Sequence, residues 1–231
     1  SINLFHSATV DSTGSPTVRC ASEPAADVPT DLLPLGLVEA PVALPGQLKH
    51  DLYIPNHYEA GYAYPLIVWL TAADAPRDTL KTTMRRISDR NCLAVAVRPD
   101  SAKRLEDHLV ETVRAVRRKY HVHSERIYLA GIGDQATRAL KIGLARPEWF
   151  GGIIALDPVL PDQYRWLSRF EALQGKRVFL AADSHNPAQI EATRQIQRLL
   201  WSSGMSVSAY FNETQGSVDH GLLREINRWM I

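Results

Sequence analysis

From residue 47 onward, short apolar runs alternate with longer amphipathic stretches, and few architectures accept that rhythm. The strand-like runs fall at residues 48–54, 66–71, 93–98, 127–130, 152–156, 177–181 and 207–211. Between them, residues 78–90, 105–120, 134–146, 188–203 and 222–230 place apolar side chains at helical spacing, and Pro147 and Gly204 end two of these stretches. The runs are apolar almost throughout, so both faces of each strand must be buried. Strands of that kind alternating with helices predict an α/β fold: a mostly parallel central sheet covered by helices on both faces, with no large lid domain.

Residues 1–45 read differently. Pro16, Pro24, Pro29, Pro34, Pro41 and Pro45 forbid long helices and favour extended segments, so this stretch is expected to be an arm and residues 46–231 the domain. Leu32, Leu33, Leu35, Leu37, Val38 and Val42 are too apolar for a solvated linker. They predict packing on the body or on a neighbour, hence a homo-oligomer or a protein partner held through the arm.

Composition excludes several classes. The formal net charge of +1 lacks the basic excess of a nucleic-acid binder. Arg114, Arg117, Arg118 and Lys119 cluster, but on a helix whose inner face is Leu105, Leu109, Val113, Val116 and Tyr120 they read as a solvated outer face. No apolar run is long enough for a membrane helix, and no repeat of fixed period occurs. Cys92 lies in an apolar strand-like run and reads as a buried small hydrophobe; with Cys20 it makes only two cysteines, and the expected compartment is reducing and cytoplasmic. The sequence opens at Ser1 without a methionine, which leaves a processed start open. No spacing of His, Cys or carboxylates suggests a metal and no Gly-rich Lys loop suggests a nucleotide, so no cofactor is expected.

One junction carries more information. Ile127 to Ala130 form a short strand that runs into Gly131-Ile132-Gly133-Asp134-Gln135, and a helix follows at once. In a G-x-S-x-G elbow such a turn exposes a nucleophilic serine above the sheet; here the serine position is Gly133. Glycine tolerates the strained backbone but brings no attacking oxygen. A Gly-x-Gly pair between strand and helix is also found at ordinary βα junctions.

The surroundings extend the pattern. Asp51-Leu-Tyr-Ile-Pro-Asn-His-Tyr58 and Tyr64-Pro-Leu-Ile-Val-Trp-Leu70 look like the paired early strands that lead to an oxyanion loop. Tyr120-His-Val-His-Ser-Glu-Arg-Ile-Tyr-Leu-Ala-Gly131 resembles the approach to the elbow, Trp149-Phe-Gly-Gly-Ile-Ile-Ala-Leu-Asp157 the next strand, and Arg177-Val-Phe-Leu-Ala-Ala-Asp-Ser-His-Asn-Pro187 the strand that carries the acid. Over residues 48–231 the chain thus resembles the α/β-hydrolase superfamily, in its small esterase, carboxylesterase and polyhydroxybutyrate-depolymerase-like branch.

The resemblance implies where catalytic parts would stand. Asp183, four residues before Pro187, occupies the place of the triad acid; an aspartate capping the helix near Pro187 is an equal reading. His220 follows in the right order for the triad histidine, or is simply an exposed loop residue before the last helix, and His185 is a further imidazole close to Asp183. The oxyanion loop, usually His-Gly-Gly, here reads Thr71-Ala72-Ala73-Asp74, without the glycines that allow positive φ and with a carboxylate where negative charge would be stabilised. Gln135 replaces the small residue expected after the elbow. Asp134 is out of register for a nucleophile and more simply begins or caps the helix. Two functional classes follow. One is a catalytically degenerate hydrolase homologue, in which the arm or a residual pocket binds a partner or a small molecule. The other is a carboxylesterase with an unorthodox site built from Asp183, His220 and Asp134.

Overall fold

The computed structural model describes residues 51–76, 78–88, 90–98, 104–160, 170–212 and 218–230. Seven strands, β1 (Leu52–Tyr53), β2 (Tyr64–Leu70), β3 (Leu93–Val97), β4 (Val122–Ile132), β5 (Gly152–Leu156), β6 (Arg177–Asp183) and β7 (Ser206–Asn212), form one sheet in the order β1-β3-β2-β4-β5-β6-β7. Only β1 runs antiparallel to its neighbour. The helices are α1 (Thr79–Ile87), α2 (Leu105–Lys119), α3 (Asp134–Ala145), α4 (Phe170–Leu173), α5 (Pro187–Ser202) and α6 (His220–Met230). The mostly parallel sheet with helices on both faces is the expected α/β architecture.

Each strand divides its side chains by the two-residue period of a β-strand. Leu66, Val68 and Leu70 of β2 point into one core with Leu109, Val113 and Val116 of α2, Ala139 and Leu140 of α3, and Ile196 and Leu200 of α5. Ile67 and Trp69 point the other way, onto Leu80, Met84 and Ile87 of α1 and Leu222, Leu223 and Ile226 of α6. Every residue of β2, β3 and β5 is buried, as strands covered on both faces require. Cys92 lies in the second core, and burial pushes its thiol up to about 12, so it stays protonated.

Several boundaries differ from the expectation. β4 begins five residues earlier than the apolar run Ile127 to Ala130, because polar His123, Ser124 and Glu125 belong to a bulge where the register with β2 shifts between Tyr64 and Leu66. α4 has four residues and no periodicity to reveal it. On α2, Arg117 departs from the solvated face assigned to it: one guanidinium nitrogen is enclosed without a hydrogen-bond partner, and burial lowers its pKa. The arm, with Cys20 and Leu32 to Val42, lies outside the described residues. Among the described residues no helix is long and apolar enough to cross a membrane.

The sheet order places the site. The chain runs from β2 to β3 on one side, then returns to β4 on the other side of β2. The carboxyl ends of β2 and β4 therefore flank a topological switch point, where parallel sheets leave a crevice for ligands. Thr71 follows the first and Gly133 the second.

Candidate functional site

The β4–α3 junction is a strained turn. Gly133 has φ 58 and ψ −122, donates its N–H to the Leu156 carbonyl at 2.8 Å, and accepts at its own carbonyl from the Thr137 N–H at 3.1 Å. It is the N-cap of α3, and no side chain caps that helix. Asp134 is the first residue of the helix, exposed, as one of the two readings of that residue had it. The two glycines of the turn serve different needs. A Cβ on Gly131 would lie 2.4 Å from the backbone carbon and oxygen of Gln135, so the glycine lets the helix close onto the strand. A Cβ on Gly133 would meet nothing within 4 Å. The turn has the backbone of an elbow and open space where a nucleophile's side chain would project. Gln135 contributes its backbone to the close approach, and its half-buried side chain leaves Oε1 enclosed without a hydrogen-bond partner.

The loop across the switch point has no comparable strain. Thr71 donates its N–H to the Val97 carbonyl at 3.0 Å, and Ala75 donates to the Ala72 carbonyl at 3.2 Å, closing a turn around Ala73 and Asp74. Among the described residues only His57 and Asp157 have positive φ without being glycine, so Thr71, Ala72, Ala73 and Asp74 all stay in ordinary backbone regions. Arg98 anchors the loop: it donates to the Ala75 carbonyl at 3.4 Å while paired with Asp51.

The acid and the imidazole stand further along the edge. Asp183 ends β6, and its Oδ1 accepts from the His185 N–H at 2.8 Å and lies 3.1 Å from His185 Nδ1. The helix cap nearby is Asn186, whose Oδ1 accepts from the Gln189 N–H at 3.2 Å, so Asp183 is not that cap. His220 is the first residue of α6, exposed, and its side chain makes no hydrogen bond or ion pair among the described residues; the neighbouring Asp219 carboxylate accepts from the Leu222 N–H at 2.7 Å. The structure thus joins Asp183 to His185 and not to His220.

Asp157 escaped the sequence reading. It follows β5 with φ 52, and its Oδ1 accepts the Asp183 N–H at 3.0 Å. Burial pushes its pKa up; the hydrogen bond from Asp183 opposes that shift and the Asp183 charge adds to it. The available signal was an Asp-Pro pair just past an apolar strand, which also reads as a plain turn. Asp157 and Asp183 line a small cleft, enclosing about 20 Å³, with Leu156, Ala181, Ala182, Asn212, Val218 and Leu222. That cleft lies over the ends of β5, β6 and β7, beside the switch point and not in it. Among the described residues no group of three His, Cys, Asp or Glu side chains is placed to hold a metal ion.

No family model matches the chain, and no curated protein does. Solved structures do. A ferulic acid esterase superposes with a TM-score of 0.60 at 12% identity, over 78% of this chain and 90% of that one. A substrate-bound fluorophosphonate-binding serine hydrolase of Staphylococcus aureus gives 0.57 at 12% identity, over 78% and 89%. A thermostable esterase gives 0.55 at 16% identity over 77% of this chain, which spans 55% of that enzyme's length. With this sheet order, the strained strand-to-helix turn after β4 and these neighbours, the chain has the α/β-hydrolase fold.

Proposed function

We propose that this chain is a catalytically degenerate member of the esterases whose fold it shares, with the hydrolase scaffold serving as a binding or interaction module. The observation that carries the reading is Gly133: the turn that would present a nucleophile is built, and the residue in it has no side chain. The relaxed Thr71–Asp74 loop supports it. A loop that stabilises an oxyanion aims its N–H groups at one point, and removing a single such donor costs about 10²–10³ in rate. Asp74 places a carboxylate in the loop where negative charge would develop. The cleft at the ends of β5, β6 and β7 encloses about 20 Å³, far below the range of about 300–1,000 Å³ that holds drug-sized ligands, so it does not itself admit a large small-molecule substrate.

A second reading rests on the Asp183–His185 pair. A carboxylate that holds Nδ1 of an imidazole leaves Nε2 to accept a proton, as a general base acting on water would. Hydrolysis of short and medium acyl p-nitrophenyl esters separates the two. The expected rate equals that of a heat-inactivated control. Turnover above the control that disappears in His185→Ala would favour the hydrolase.

A further inference from the structure

A large apolar side chain left in water is ordinary when it stands singly and informative when it has company. Among the described residues five are exposed: Ile54, Tyr62, Ile132, Val159 and Trp201. Two of them share one place. Ile132, 46% exposed, ends β4 immediately before Gly133, and its register partner is Leu156 of β5. Val159, 53% exposed, follows in the segment that leaves β5 after Leu156.

Hydrogen bonds tie Val159 to the elbow. Its N–H donates to Thr137 Oγ1 at 3.0 Å, and the same hydroxyl lies 3.3 Å from the Val159 carbonyl and 3.4 Å from the Gly133 carbonyl, either of which can accept its proton. From the other side, Gln189 Nε2 of α5 donates to the Pro158 carbonyl at 2.7 Å. Two helices therefore hold the backbone of this segment. Both exposed side chains are β-branched and have little rotamer freedom to lose on contact. Beside them, a Cβ at Gly133 would meet nothing within 4 Å. The result is a rigid apolar rim on an open hollow.

Carboxylates border the same hollow. Asp134 follows Gly133 directly and Asp74 stands in the loop across the switch point; both are exposed, and neither makes an ion pair among the described residues. The full charge of Asp134 outweighs the roughly half charge of the helix terminus on which it sits. The first turn of α3 holds no basic residue, nor do the described positions of the loop, residues 71–76. Arg138 comes only in the second turn of α3, and Arg98, which reaches the loop at Ala75, is neutralised by Asp51. A turn that in an esterase would border developing negative charge here presents apolar surface edged with carboxylates.

We propose that the vacant elbow docks a basic peptide segment of a protein partner, which sets an aliphatic side chain over Gly133 between Ile132 and Val159 and lays the Lys or Arg residues flanking it against Asp134 and Asp74. The inference rests on the reading of the scaffold as a binding module and names the chemistry of what it binds. Three features select this occupant. The apolar rim calls for an aliphatic anchor, because an interface gains most from a side chain desolvated in a ready-made hollow. The carboxylates call for cations on both sides of that anchor and repel an acidic segment. The hollow is open and not enclosed, which suits a side chain carried on a partner's surface better than a free small molecule.

Titration of the isotope-labelled full chain with the peptide acetyl-Gly-Arg-Leu-Arg-Gly-amide, followed by amide NMR, tests this. The expected result is saturable shifts centred on Ile132, Gly133, Asp134 and Val159, with a dissociation constant of about 1 mM or below. The Arg-Ser-Arg peptide should bind at least about threefold more weakly, and the Glu-Leu-Glu peptide should not bind at this site. Asp74→Asn combined with Asp134→Asn should weaken the Arg-Leu-Arg peptide at least about threefold, as loss of two exposed ion pairs would, and Val159→Ser should weaken it similarly. Shifts that do not saturate, that centre elsewhere, or that are equal for the three peptides would overturn the proposal. Because the peptide comparison uses the wild-type chain, it stands even where a variant fails to fold. A covalent adduct with a serine-directed fluorophosphonate would overturn the degenerate reading itself; absent peptide binding in a chain that the probe leaves unmodified overturns this inference alone.

Discussion

The β4–α3 turn and the β2–α1 loop face each other across the switch point, and they differ in what holds them. At the turn, packing alone dictates the backbone: α3 presses on β4 so closely that residue 131 has no room for a Cβ, and Gly133 is held at φ 58 by hydrogen bonds at both its N–H and its carbonyl. In the loop, Thr71, Ala72, Ala73 and Asp74 keep relaxed conformations, and the anchors are the Val97 carbonyl and Arg98. Geometry that the core requires is present whether or not chemistry occurs there. The loop shows none of the positive φ that the turn holds.

Gly131→Ala should break the first region most severely. The added carbon meets backbone, which cannot swing aside as a side chain would, and a loss of about 3 kcal/mol is expected in urea unfolding, near the upper end for overpacking. Gly133→Ala carries strain without collision, so the expected loss is about 2 kcal/mol, from the positive φ alone. If the two substitutions cost the same, the distinction between a packed and a merely strained glycine fails.

The pH response of Asp157 sharpens the comparison at a neighbouring strand end. Its folded pKa is raised by burial, so the folded chain binds that proton more tightly than the unfolded chain. The linked stability is present below the ordinary carboxylate range and is lost as pH rises through the raised folded value. Asp157→Asn keeps an acceptor for the Asp183 N–H and tolerates φ 52, so it should raise the melting temperature slightly at neutral pH. That gain should vanish in acid. A gain independent of pH would remove the burial argument. Ala73→Gly, in the relaxed loop, should change stability by less than about 0.5 kcal/mol.

The architecture was legible because burial on both faces leaves β2, β3 and β5 continuously apolar, a pattern visible without any contact information. The elbow was legible for a related reason: a helix packed this close to its strand needs glycine at 131, a positive φ favours glycine at 133, and glycine is visible in a sequence. The acid–imidazole partner was harder. Chain order favoured His220, whereas the tight turn after β6 brings His185 back onto Asp183, a local geometry that spacing of two residues leaves undecided. Asp157 was missed because its role depends on the register of β5 with β6, which sets its carboxylate beside the Asp183 N–H. Arg117 was misplaced because helical periodicity assigns a face but not how much of a long side chain that face encloses.

Intact-mass spectrometry after incubation with a serine-directed fluorophosphonate tests the central claim most directly. It reads covalent attack by the protein itself and needs no knowledge of a substrate. With Gly133 at the elbow the account predicts an unshifted mass for the wild-type chain at saturating probe. A stoichiometric adduct would contradict it, because some residue of this chain would then be an activated nucleophile and the empty turn after β4 would not be the place where its chemistry is decided.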